Sequence, residues 1–222
     1  MPSTNVTTPE GIQELTKRLR RRQRRLYAVG LLAVLVTSVL FFFKHYQRRQ
    51  NDLAQREMFQ AVHYFEQAAF DKALHGDGVY AGLLDIVQTY RFTKAANLAH
   101  FYVGVSYLHQ QVYDKALHHL AKFRAKDWLL QARAWALMGD VYAEQQDYKA
   151  AAAHYLKAAD HKPNKAFTPI YLVKAALAYE TDKNIDAALS CYQRIVQAFP
   201  EAPQYGAAVK HVERLTILSK QP

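Results

Sequence analysis

The sequence predicts an all-α chain: one membrane-crossing helix followed by a stack of helical hairpins. Three observations carry this. Residues 26–43, LYAVGLLAVLVTSVLFFF, hold no charged side chain over 18 positions. From about residue 50 onward apolar residues recur at helical spacing, with little strand signal. The segment 135–163, WALMGDVYAEQQDYKAAAAHYLKAADHKP, returns in altered form both upstream and downstream.

The first element is the apolar stretch. At about 1.5 Å per residue it covers roughly 27 Å, the thickness of a bilayer core. Twelve of its 18 residues are Leu, Val or Phe, which favour insertion by roughly 5 kcal/mol in all. Tyr27 and Tyr46 stand where interfacial aromatics are expected. A cleaved signal peptide would need a shorter apolar region and a small-residue site. This one ends in Phe41-Phe42-Phe43-Lys44, so an uncleaved anchor is expected.

Charge sets its direction. Ten of the 29 Lys/Arg but only 2 of the 19 Asp/Glu lie in residues 1–50, so the formal charge of +10 belongs mainly to the N-terminus. The near-neutral remainder argues against nucleic acid as a partner. Seven Lys/Arg occupy residues 17–25, before the span, and four (Lys44, Arg48, Arg49, Arg56) follow it. The denser side stays cytoplasmic. Residues 1–25 are then a basic cytoplasmic tail able to meet anionic lipid headgroups, with a helix start at Thr8-Pro9. Residues 26–43 cross the membrane. The rest is expected in the periplasm of a bacterium, making this a single-pass inner-membrane protein.

The repeat comes next. Gly139, Tyr142, Tyr148, Ala151, Tyr155 and Pro163 correspond, 35 residues back, to Gly104, Tyr107, Tyr113, Ala116, Leu120 and Trp128. Shifted forward by 37 they become Ala176, Tyr179, Ile185, Ala188, Tyr192 and Pro200. A fourth turn string, AFDKAL at 69–74, has Tyr64 six residues before Phe70. Small residues belong where two helices of a hairpin cross closely, large ones fill the gaps between hairpins, and Pro163 and Pro200 end helices. A single hairpin cannot bury its apolar face, but a stack can. Helices are expected at 50–68 and 71–90 (interrupted by HGDG at 75–78), 93–110 and 113–125, 128–145 and 148–161, 168–182 and 185–198, and 202–218. With Trp135 and Ala158, the residues of the best-preserved copy match the pattern and spacing of the tetratricopeptide repeat, which this segment resembles. The resemblance implies a right-handed α-solenoid of about four helix pairs. Residues 44–96 would be a juxtamembrane helix and divergent first unit, 97–200 three units, and 201–222 a capping helix and tail.

Chemistry is sparse. The lone Cys191 excludes an intramolecular disulfide and a Cys-based zinc site; it reads as a buried structural thiol. His118-His119 point about 100° apart on a helix and read as solvated, as do His154 and His161. Asp140 and Glu144 stand one turn apart, and a hydrolase built on them is a remote alternative, since no base or oxyanion donors accompany them. No enzyme activity, cofactor or metal is therefore expected.

In the family the first helix of each unit faces a concave groove. The resemblance places there Leu98, Phe101, Val105, Leu108 and His109; then Arg133, Ala136, Asp140, Ala143 and Glu144; then Ile170, Val173, Leu177, Glu180 and Thr181. Phe101, Val105 and Leu108 either pack against the first unit or form an apolar strip for a peptide or helix. The Lys/Asn set with which some relatives clamp a C-terminal carboxylate is absent from these positions. The whole-chain layout resembles the YfgM-type ancillary subunits of the SecYEG translocon. That resemblance implies a scaffold whose partners are translocon subunits, periplasmic chaperones or exported chains. An assembly subunit of another envelope machine, serving secretion, division or motility, is the alternative.

Overall fold

The computed structural model describes residues 9–219. Among them there are ten helices and no strand: α1 (Pro9–Glu66), α2 (Phe70–His75), α3 (Leu83–Thr89), α4 (Lys94–His109), α5 (Tyr113–Lys122), α6 (Leu130–Glu144), α7 (Tyr148–Asp160), α8 (Thr168–Thr181), α9 (Ile185–Ala198) and α10 (Tyr205–Leu218). The chain divides into two units, residues 1–50 and 51–222.

The N-terminal unit is helix α1 up to Gln50. It is long and apolar enough to cross a membrane. Its apolar side chains are exposed on every side, Leu31 at 73% and Phe41 at 70% among them. A water-soluble core helix would have buried one face. The Thr8 cap and the side chains of residues 17–25 lie outside the described residues.

The second unit is built of hairpins. Its first comprises the end of α1 with α2 and α3. Asn51 Oδ1 accepts from Ala95 N–H at 3.0 Å, Tyr90 donates its hydroxyl to Glu57 at 2.9 Å, and Phe65 meets Tyr102 edge-on at 4.9 Å. The second helix expected at 71–90, interrupted at 75–78, is two short helices, α2 and α3. His75-Gly76-Asp77-Gly78 stops α2, with Gly76 and Gly78 at φ 78° and 89°. Asp77 then accepts from Val79 and Tyr80 N–H and from the Tyr64 hydroxyl. These bonds draw the Asp77 carboxyl down to about 2.

Three regular hairpins follow, α4/α5, α6/α7 and α8/α9, and α10 packs on α9. Inside each, the small positions sit at the helix crossing. A Cβ added to Gly104 would stand 2.6 Å from Leu120 Cγ, and one added to Gly139 would stand 2.6 Å from Tyr155 Cε1. Ala116, Ala151, Ala176 and Ala188 are all fully buried. α7 ends at Asp160, three residues before Pro163, and α9 at Ala198, two before Pro200, since the residue preceding proline is steered away from helix. α6 starts at Leu130, later than the expected 128, because Asp127 Oδ1 caps Leu129 and Leu130 N–H at 2.9 and 2.6 Å.

Every hairpin turn closes the same way. Ala68, Gln111, Gln146 and Lys183 have φ between 57° and 63°. The next residue donates its N–H to the carbonyl of Tyr64, Tyr107, Tyr142 or Tyr179, each at 2.9 Å. This is a Schellman closure with a non-glycine residue in the left-handed position. Asp147 and Asn184 then cap α7 and α9 through Ala150 and Ala187 N–H. Left-handed φ disfavours a Cβ. Gln146→Gly and Lys183→Gly should therefore each stabilise the fold by about 0.5–1 kcal/mol, read as a raised midpoint in chemical denaturation.

Candidate partner-docking surface

Two core clusters divide the second unit, and α6 contributes to both: Ala134, Leu137 and Val141 to one, Ala132 and Ala136 to the other. The first cluster overturns part of the expected groove. Phe101 and Val105 are 9% and 8% exposed. Phe101 lies 5.3 Å from the Phe123 ring, and both belong to the core that also holds Ala54, Met58 and Ile86. They pack inside the stack and offer no apolar strip. Leu98 and Leu108 are half-buried against the same core.

Glu180 is also occupied. It accepts the Tyr192 hydroxyl at 3.0 Å, binds Arg214 and lies 3.4 Å from His211 Nδ1. It is a structural partner and not a free groove charge. Arg133 is exposed. On α8, Val173 is half-buried, while Ile170 and Leu177 are 37% and 49% exposed. Of the apolar residues expected in the groove, those open to solvent thus stand on α8, not on α4.

Asp140 and Glu144 come together with Leu108, His109 and Ala143 around a cavity of about 390 Å³ between the second and third hairpins. Gln111, Tyr113 and Tyr155 complete its wall. His109 stacks on Phe70 at 4.5 Å. Asp140 Oδ1 accepts the Tyr155 hydroxyl at 2.7 Å and Lys174 Nζ at 2.6 Å. Lys174 also lies 5.4 Å from the Tyr155 ring centroid. Burial, then the bond to Asp140, pushes the Tyr155 phenol well above its ordinary value. Asp140 is therefore already engaged by a hydroxyl and an ammonium. Among the described residues no three His, Cys, Asp or Glu converge as a metal site.

Lys174, and the bond by which Tyr155 reaches Asp140, are what sequence reasoning missed. A signal existed: Asp140–Lys174, Asp160–Arg194 and Glu180–Arg214 are all acid–base pairs 34 residues apart, close to the repeat spacings of 35 and 37.

The histidines differ from their solvated reading. His100 and His119 share an Nδ1–Nδ1 hydrogen bond of 3.0 Å between α4 and α5 and are half-buried. Burial, with Lys122 and His118 adding to it, lowers both to about 4; Lys115 acts further on His119. His154 stacks on Tyr142 at 5.1 Å, and its buried Nδ1 has no partner. Cys191 is buried, which pushes its thiol up to about 11 and leaves it inert.

The geometry defines a class: stacked helical hairpins whose inner contacts hold the stack together and whose outer side chains are open to solvent. Comparison with known families narrows this. Tetratricopeptide repeat models match residues 132–165 (α6/α7) and 171–202 (α8/α9), so the chain carries tetratricopeptide repeats, the units of protein–protein interaction scaffolds. No curated protein shows a significant match.

Tyr155→Phe keeps the ring against Gly139 but removes one bond to Asp140. It should destabilise the chain by about 1 kcal/mol, and a cycle with Lys174→Met should show coupling between the two sites in denaturant titrations. The His100–His119 pair gives a pH dependence. Their folded values lie below the ordinary 6.5, so the unfolded chain binds more protons below that pH. The stability contributed by this neutral pair is present above about pH 6.5 and is lost as pH falls toward 4. Thermal midpoints measured across that window should drop less in a His100→Asn/His119→Asn variant.

Proposed function

We propose that this chain is a membrane-anchored scaffold. Residues 26–43 hold it in the bacterial inner membrane, its N-terminus is cytoplasmic, and its repeats stand on the periplasmic side. There it holds protein partners through the α4/α6/α8 side of the stack. Translocon subunits, periplasmic chaperones and emerging exported chains are the partners that fit this placement. The observation that carries the reading is one chain combining interaction repeats with a helix whose apolar side chains are exposed all round. The charge imbalance across that helix supports the orientation. The open cavity beside Glu144 supports docking there.

Two measurements test it. Alkaline phosphatase fused after Pro222 should be active, and green fluorescent protein fused there through the same export route should be dark; the reverse overturns the orientation. A photoreactive residue at Glu144 or Leu177 should crosslink translocon subunits or periplasmic chaperones in intact cells. Crosslinks to components of another envelope machine would replace the export role while keeping the scaffold.

A further inference from the structure

We infer that the cavity between the second and third hairpins receives a lysine or arginine side chain from a docked protein segment, whose neighbouring apolar residue rests on Ile170 and Leu177. This rests on the docking reading above and names the chemistry of what docks.

The cavity holds about 390 Å³, within the range that takes a small ligand or a long side chain. Its charges do not balance. Asp140 is compensated by Lys174, and both bonds to it fall on Oδ1. Glu144 is exposed and makes no ion pair or hydrogen bond among the described residues. The cavity wall therefore presents one uncompensated negative charge. Leu108 and Ala143 offer apolar surface for an aliphatic stem, and Tyr113 offers a ring face. A stem on apolar wall with its cation at a carboxylate or ring face is how lysine and arginine are bound. An acidic tail would instead meet Glu144 and lose by repulsion.

The second contact follows from Lys174. Its ammonium reaches Asp140, a residue of the cavity wall, so the face of α8 that carries it lies just beyond that wall, although α8 itself lines none of the cavity. Ile170 and Leu177 lie on that face, one turn to either side of Lys174, and are exposed. A basic residue with an apolar neighbour matches this pairing of charge and greasy surface.

The test uses the full chain in detergent micelles, applied to an array of random-sequence peptides. Bound peptides should be enriched in lysine or arginine next to leucine or an aromatic residue. Glu144→Gln should lower binding of those peptides by about three- to tenfold, the factor one partly desolvated ion pair supplies. Glu144→Lys should abolish the preference. Both variants should keep the parent thermal midpoint, since Glu144 holds nothing in the fold. Binding without a preference for basic residues, or a preference that survives Glu144→Lys, overturns this inference and leaves docking intact. Absence of peptide binding, together with absence of crosslinks from a photoreactive residue at Tyr113, overturns both.

Discussion

The contact of Gly139 with the Tyr155 ring is the constraint on which the rest of the repeat array depends. With no Cβ at residue 139, α6 and α7 approach until the ring lies where a methyl would stand, 2.6 Å from that point. The tyrosine hydroxyl is thereby carried to Asp140 on the neighbouring position of α6. Asp140 then reaches Lys174 of the next hairpin. A packing requirement inside one hairpin thus becomes a polar link between two. The same arrangement recurs with other side chains one repeat on, where Tyr192 donates to Glu180, Arg214 binds the same carboxylate and His211 stacks on the ring at 4.4 Å.

Comparing equivalent positions explains where the groove opens and where it is filled. Shifting Asp140 and Tyr155 back 35 residues gives Val105 and Leu120, and shifting Lys174 back 37 gives Leu137. All three are buried in the first core cluster. At these positions the junction between the second and third hairpins is therefore apolar, while the equivalent places in the next two junctions are clasped by a carboxylate, a tyrosine and a cation. Burying an apolar set needs no hydrogen-bond partners, whereas a half-buried carboxylate must be paired. That rule accounts for Phe101 and Val105 lying inside and for Glu180 being consumed.

Positions fixed by one hairpin's own geometry were legible in the sequence. Gly104, Gly139, Ala116, Ala151 and Ala188 announce close crossings because nothing larger fits, and the tyrosines six residues before each second helix mark the turns. What was not legible depends on the neighbouring hairpin. Glu180 looks like a free acidic residue until Arg214 and Tyr192 are placed beside it. His119 reads as solvated until His100, at a position occupied by Trp135 in the next repeat, pairs with it. The left-handed residues at the turns carry no glycine to announce them. The break between α2 and α3 was signalled by HGDG, but the length of the loop it opens was not.

Helix α6 serves two cores with opposite edges, Ala134, Leu137 and Val141 on one and Ala132 and Ala136 on the other. In an array where each unit touches only its neighbours, such a helix is a party wall. Either block can loosen while the wall stands, held by the other. Fraying that starts at α10 would then halt at α6 before it reaches the first two hairpins. A partner gripping the last hairpin would reshape that block alone, and the block on the other side of α6 would keep its form.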